Sequence, residues 1–488
     1  MEAINYTREE EKFMQEKSIE VINKNYNVNL NLQDVDIKLK RLEGISNKIY
    51  NIQITNKKSE QVNEKENEKE QEKEQEQEQE QEQEQEQEQE QGLENSYDLF
   101  FKLFGKISSK KYKKILLKNF YEKIVMKKFI IISIEIVDRF QETKIIKTFS
   151  NKGIGPIVYE TDNQTYRVEE FIKDLIMLSK EKMFIEPLLE KMYNNFAIYT
   201  TINKPEYHRN KNIFFKELLN HENTNFVNFT CRKMKALADK PLKEFKQKFE
   251  EKIEEISNNN LNSNLNANSN LGNLNGLNDL NNDLNSAERI EDFRNKIKIL
   301  EFYFENLEEL FFNCMPDQGF FVLSHNDAHL VNIMYTKNME KLYLFDHEYS
   351  CTNFLGFDIA NYILESLFFL AHHEFPYYSY IKSELKNLTN EYFLEIYKKF
   401  FDYFEKINAE YFNKNPEEKN FVELAKTKDY YMRVLGLSSI MWAMFAVIYL
   451  NFESTWKKTN YDYFNYAIDR LSIYNEFVRF ELGHNFEI

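Results

Sequence analysis

Three short apolar runs constrain this chain most: Phe320-Phe321-Val322-Leu323, Asn332-Ile333-Met334-Tyr335 and Leu342-Tyr343-Leu344-Phe345. Bounded by polar clusters, they read as short buried strands that interrupt a mostly helical pattern from about Asp174 onward. A helical body that carries polar residues at the ends of buried strands is building loops on a rigid frame. The N-terminal part reads differently. Residues 48–54 alternate as a strand after the turn signal Leu42-Glu43-Gly44-Ile45-Ser46-Asn47, and residues 97–105 are again strand-like. Residues 139–151 have helical spacing with a stop at Gly153. Residues 157–159 and 166–172 read as strands on either side of Thr161-Asp162-Asn163. The expected class is α+β, with a small β-rich lobe over residues 1–172 and a larger, mostly helical lobe over 173–488.

Two low-complexity tracts interrupt that body. Residues 60–92 alternate Glu and Gln, and residues 257–286 set Leu261, Leu265, Leu271, Leu274 and Leu277 among asparagines. Neither composition supplies a dense apolar face, so both read as solvated insertions. A basic, hydrophobic stretch over residues 106–135 reads as a further insert. The first tract holds 15 Glu and three Lys between Glu60 and Gln91, which is −12 of the formal −16. The remainder is close to neutral and has no dense Lys/Arg stripe, which argues against nucleic acid or an anionic membrane as partner. Residues 440–450 are apolar but too short to span a bilayer, so a buried helix is expected and no membrane insertion. Cys231, Cys314 and Cys351 are widely spaced, in neither a metal pattern nor a disulfide framework. No basic-then-apolar leader follows Met1, and a reducing, cytoplasmic setting is expected.

Chemistry concentrates where the apolar runs end. The first leads into His325-Asn326-Asp327, and Asn332 lies five residues beyond the Asp. A carboxylate there can take a substrate hydroxyl proton, and an amide five residues on can hold a metal ion at the same site. Asp346 follows the third run with Glu348 two residues later, a pair of hard oxygen donors suited to Mg²⁺. Either cluster alone equally describes Asp and Asn closing turns after strands. Both together, in this order, match the phosphoryl-transfer arrangement of a catalytic Asp, an Asn and a metal-binding Asp.

Read outward from these residues, the sequence resembles the choline/ethanolamine kinases. The resemblance is carried by His325-Asn326-Asp327 with Asn332 and by Phe345-Asp346-His347-Glu348-Tyr349-Ser350 with Asn353-Phe354. It continues through Gly356-Phe357-Asp358-Ile359-Ala360-Asn361 to Glu365, close to the family's D-[FY]-E-Y-x-x-x-N-[YF]-x-x-x-D-I-x-N-x-x-x-E, with His347 as the departure. It implies a two-lobed protein-kinase-like fold that uses ATP and Mg²⁺ to phosphorylate choline, the first step of phosphatidylcholine synthesis by the CDP-choline route. Ethanolamine is the alternative acceptor. Related antibiotic-type phosphotransferases and a catalytically silent scaffold are the further alternatives, and a homodimer is the expected assembly.

The resemblance assigns roles residue by residue. Asp327 and Asn332 are the catalytic pair, and Asp346, Glu348 and Asn332 the metal donors. Gly44, Ser46 and Asn47 belong to a turn over the nucleotide phosphates. Lys102 is a phosphate-binding base, with Glu142 as its helix partner. Glu170, Phe171 and Ile172 lead to the adenine. Tyr349, Glu365, Trp442, Phe445, Tyr463 and Tyr466 form an aromatic and acidic cage for a quaternary ammonium. Spacing alone leaves Lys102 and Glu142 as an ordinary surface pair and the C-terminal aromatics as a helix core. His329 and His347 read either as satisfied neutral rings or as groups that tune the site with pH.

Overall fold

The computed structural model describes residues 8–26, 32–33, 35–42, 48–56, 96–103, 139–161, 166–170, 172, 174–201, 206–208, 210–221, 225–266, 287–369, 374–458, 460–479 and 482–483. They divide into two compact units, Met1–Leu175 and Ile176–Ile488. The expected boundary at 172/173 lies three residues earlier.

The first unit is built on an antiparallel five-stranded sheet of order β1-β2-β3-β5-β4. Its strands are β1 (Val35–Leu42), β2 (Lys48–Asn56), β3 (Ser96–Leu103), β4 (Val158–Thr161) and β5 (Tyr166–Glu170). β1 is an addition to the sequence reading, although Val35, Ile37 and Leu39 alternate with Asp36, Lys38 and Lys40 as a strand should. β2 and β3 run in register from Lys48 opposite Leu103 to Thr55 opposite Ser96, so residues 57–95 connect the two arms of a hairpin. The expected helix is Arg139–Asn151, which buries Ile145, Ile146 and Phe149. Gly153, at φ +70°, ends it: the Ile154 N–H donates back to the Phe149 carbonyl in a Schellman-type stop.

The second unit holds two small sheets in a helical body. One has the order β10 (Leu342–Leu344), β9 (Ile333–Thr336), β6 (Leu175–Met177); the other β11 (Cys351–Phe354), β8 (Gly319–Ser324), β7 (Glu206–His208). Every residue of β8 is buried. Phe320 meets Phe404, Phe412 and Phe421 at centroid distances of 5.7–6.2 Å, and such pairs add about 0.5–1.5 kcal/mol each beyond area burial. That anchoring seats the start of β8; its end, Ser324, pairs with Cys351, and the acid loop begins there.

The helix expected over residues 440–450 is longer, Lys428–Ile448. It is long and apolar enough to cross a membrane, but 89% of its most apolar window is buried against the rest of the protein. It packs on helices Phe357–Glu365, Tyr463–Ile473 and Lys235–Asn266 as a core helix. The last of these runs ten residues into the Asn/Leu tract expected to be an insertion from residue 257. The Glu/Gln tract, the basic stretch 106–135 and the rest of the Asn/Leu tract lie outside the described residues.

Candidate active site

The loop after β8 is held from three sides. Asp358, on the first turn of helix Phe357–Glu365, accepts the backbone N–H of His325 at 2.7 Å and of Asn326 at 2.8 Å. Asn326 sits at φ +66°, a left-handed conformation that Asn tolerates. Its amide donates to the Tyr349 carbonyl at 2.9 Å and its Oδ1 accepts from Asn353 at 2.7 Å. The His325 ring accepts the Asp327 N–H on Nδ1 at 3.3 Å, which leaves Nε2–H to donate to the Phe345 carbonyl at 2.9 Å. These bonds tie the acid loop to the loop that carries Asp346.

Asp327 is buried, and its two oxygens differ. Oδ2 accepts from Asn332 Nδ2 at 2.9 Å, and the same nitrogen donates to the Asp327 carbonyl at 3.0 Å. Oδ1 has no hydrogen-bond partner among the described residues. Burial pushes the Asp327 carboxyl well above the ordinary carboxylate range, repulsion from Asp346, Glu365 and Glu348 adds to this, and Asn332 opposes it. A buried oxygen with an open lone pair and raised proton affinity is equipped to receive a proton from a hydroxyl.

Asn332 spends its nitrogen on Asp327, so its Oδ1 is available as a donor to a cation. Asp346 follows β10 at φ +60°, and Glu348 is buried two residues on. Among the described residues no three His, Cys, Asp or Glu side chains form a metal cluster. The donors expected from the sequence are two carboxylates, Asp346 and Glu348, and the Asn332 amide. His347 is occupied elsewhere: Nδ1 accepts from the Tyr199 hydroxyl at 3.1 Å and Nε2–H donates to the Leu344 carbonyl at 3.0 Å. Those bonds match the satisfied-ring reading of this departure.

The aromatic candidates form a connected series. Tyr349, Trp442 and Phe445 contact one another edge to face, with centroids 5.2–6.0 Å apart. Tyr449 links Phe445 to Tyr463, and Tyr461 links Tyr463 to Tyr466. Trp442 is oriented by its Nε1–H, which donates to Asn361 Oδ1 at 3.2 Å, where the Ser438 hydroxyl also donates. Glu365 is buried and accepts from Arg470 Nη2 at 2.6 Å; Arg470 also donates to the Tyr466 hydroxyl and stacks over Phe368 at 3.8 Å. Four carboxylates, Asp327, Asp346, Glu348 and Glu365, thus belong to this region with one buried guanidinium.

In the first unit, Lys102 lies directly across from Arg167 in the β3–β5 register. Arg167 Nη1 donates to Glu142 Oε1 at 3.0 Å, and Arg167 also ion-pairs with Glu169; the pairing of Glu142 with Lys102 expected from the resemblance involves a side chain outside the described residues. The Arg167, Glu142 and Glu169 side chains are buried. Glu170 is half-buried and accepts the Ile157 N–H on its carboxylate at 3.2 Å; Ile172 is half-buried. Gly44, Ser46, Asn47 and Phe171, and the Lys102 side chain, lie outside the described residues. The sequence reading assigned no role to Asp358, Arg470 or Arg167. The first was visible in the long motif, and Arg470 lies one helical turn after Tyr466.

A β-rich unit followed by a helical one, with an acid-and-amide loop on a buried strand, defines a kinase-like α+β protein. Residues 122–475 match the family model described as choline/ethanolamine kinase, and the chain belongs to that family. A probable choline kinase 2 of Arabidopsis thaliana is 34% identical over 82 residues, 17% of this chain. The match spans 22% of that relative's length, about a fifth of it. Solved structures similar to the chain include a choline kinase from Cryptosporidium parvum, at 14% identity and a TM-score of 0.44 over 96% of this chain and 97% of that one. Another is a Plasmodium vivax ethanolamine kinase, at 14% identity and a TM-score of 0.43 over 97% and 96%.

Proposed function

We propose that the chain is a cytoplasmic enzyme that transfers the γ-phosphoryl group of ATP to choline, with ethanolamine as second acceptor, at the entry to phosphatidylcholine synthesis. Asp327 carries this reading: a buried carboxylate with one oxygen pinned by Asn332 and the other open. The family match and the Tyr349, Trp442 and Phe445 cluster support the choice of acceptor. A quaternary ammonium has no N–H to donate, so π-faces and nearby carboxylates hold it better than hydrogen-bond acceptors do.

In this reading Asp327 orients the acceptor hydroxyl and takes its proton on Oδ1, while Asn332 and the Asp358 clamp hold the loop still. Positioning and charge neutralisation supply most of the rate. The two carboxylates and one amide of Asp346, Glu348 and Asn332 fit magnesium, which keeps water and phosphate oxygens in its remaining positions. When bound, the ion neutralises phosphate charge. Gly44, Ser46, Asn47, Lys102 and the segment Glu170-Phe171-Ile172 are the proposed nucleotide contacts, and Tyr349, Glu365, Trp442, Phe445, Tyr463 and Tyr466 the proposed acceptor contacts.

The test is ADP release by the full chain with choline and ethanolamine at matched concentrations, for the wild type and Asp327→Asn. Choline is expected to give the higher kcat/KM, and the variant to lose about 10²-fold or more in kcat while still binding ATP. Near-normal turnover by the variant would remove Asp327 from the mechanism.

A further inference from the structure

His329 lies beside Asp327, and the chemistry above does not use it. Its ring is held at one nitrogen: Nδ1 accepts the Val331 N–H at 3.2 Å, in the manner of a cap on the short turn Leu330–Asn332. The neutral tautomer compatible with that bond carries its proton on Nε2. Nε2 lies 3.4 Å from Asp327 Oδ1, the oxygen that has no hydrogen-bond partner among the described residues. The His329 backbone N–H also donates to the Asp327 carbonyl at 3.0 Å, so ring and carboxylate share one tight turn.

We propose that His329 is a positioning residue for Asp327: its Nε2–H flanks Oδ1, and with Asn332 on Oδ2 it fixes the carboxylate so that the open lone pair of Oδ1 meets the acceptor hydroxyl. The role rests on the reading of Asp327 as proton acceptor. In the transfer, the acceptor oxygen bonds to phosphorus, the bond from phosphorus to the leaving nucleotide oxygen breaks, and the hydroxyl proton goes to Oδ1. His329 neither gains nor loses a proton. A carboxylate free to rotate would still bind metal and substrates, so its loss falls on kcat.

Three substitutions separate this from a plain capping role. Asn at 329 keeps a cap acceptor but is too short to reach Oδ1, Met fills the space with no donor, and Gln can present an N–H to Oδ1. His329→Asn and His329→Met are expected to lower kcat about tenfold with KM for ATP and choline unchanged. His329→Gln is expected to stay within about threefold of wild type. Thermal melts of the full-length variants check that each is folded. Wild-type kcat in both the Asn and Met variants would overturn the proposal, and so would an equal loss in all three. Asp327→Asn in the same assay distinguishes the two failures: if it is inactive while the Asn and Met variants at 329 are normal, only the positioning role is lost. If it turns over normally, the reading of Asp327 falls as well.

Discussion

His325 and His329 flank Asp327, and burial lowers both from the ordinary 6.5 to about 4. An unfolded chain protonates such a ring as pH falls through about 6.5, and the folded protein does so only near 4, so stability is lost across that window. Asp358, which burial pushes up to about 6, and Asp327, which burial also raises, act with the opposite sign. Their folded forms take up protons before the unfolded chain does, so they add stability as pH falls. The contributions offset in the whole protein, and a difference between variants isolates one of them. His329→Gln removes a single ring. Full burial of that ring would cost wild type about 2 kcal/mol relative to the variant between pH 7 and pH 5. Because 18% of the His329 side chain is exposed, solvent screening brings the expected change nearer about 1 kcal/mol. Urea melts of both proteins at the two pH values measure it. A constant gap would mean that His329 titrates in its ordinary range.

Helix Phe357–Glu365 is the element on which the second unit's site depends. Asp358, Asn361 and Glu365 recur at three and four residues, so they lie along one face. That face holds in turn the acid loop, the Trp442 indole and Arg470. Gly356 starts the helix at φ +87°, where a Cβ would stand 2.6 Å from the Tyr397 hydroxyl and 3.1 Å from Phe401. Gly356→Ala combines left-handed strain with overpacking against two buried rings and is expected to cost about 2–4 kcal/mol. Chemical denaturation reads this directly, and an unchanged midpoint would show that the helix start can shift without cost. Much of this element was legible, because the spacing from Asp346 to Glu365 is fixed along one chain segment. So was the five-residue step from Asp327 to Asn332, which closes within one turn. The buried ion pairs were not. Glu365 meets an arginine 105 residues away and Glu142 one 25 residues away, partners that tertiary packing selects and local pattern does not. β1 was missed for a different reason: its alternation holds from Val35 to Lys40 but breaks at Arg41-Leu42, and four of its eight residues, and both flanks, are charged or polar.

At the scale of the whole molecule, one long low-complexity tract falls between two paired strands of the first unit. β2 and β3 complete their pairing at Thr55 and Ser96, and 39 residues, 57–95, connect them. Within that connection the Glu/Gln tract supplies −12 of the net charge and no apolar face to bury. Excising residues 60–92 leaves a six-residue connection, and each halving of a flexible loop returns about 0.6 kcal/mol of closure entropy, so the gain is about 1.5 kcal/mol. Removing the like charges also lowers self-repulsion, which acts in the same direction at low salt. The excised chain is therefore expected to fold with a midpoint at least as high as that of the full chain and to keep kcat and both KM values within about twofold. Denaturant melts and the ADP-release assay on the two chains decide it. A variant that unfolds, or whose KM for ATP rises tenfold while its fold persists, would mean that the acidic tract is part of the nucleotide-binding structure and not an insertion into its hairpin.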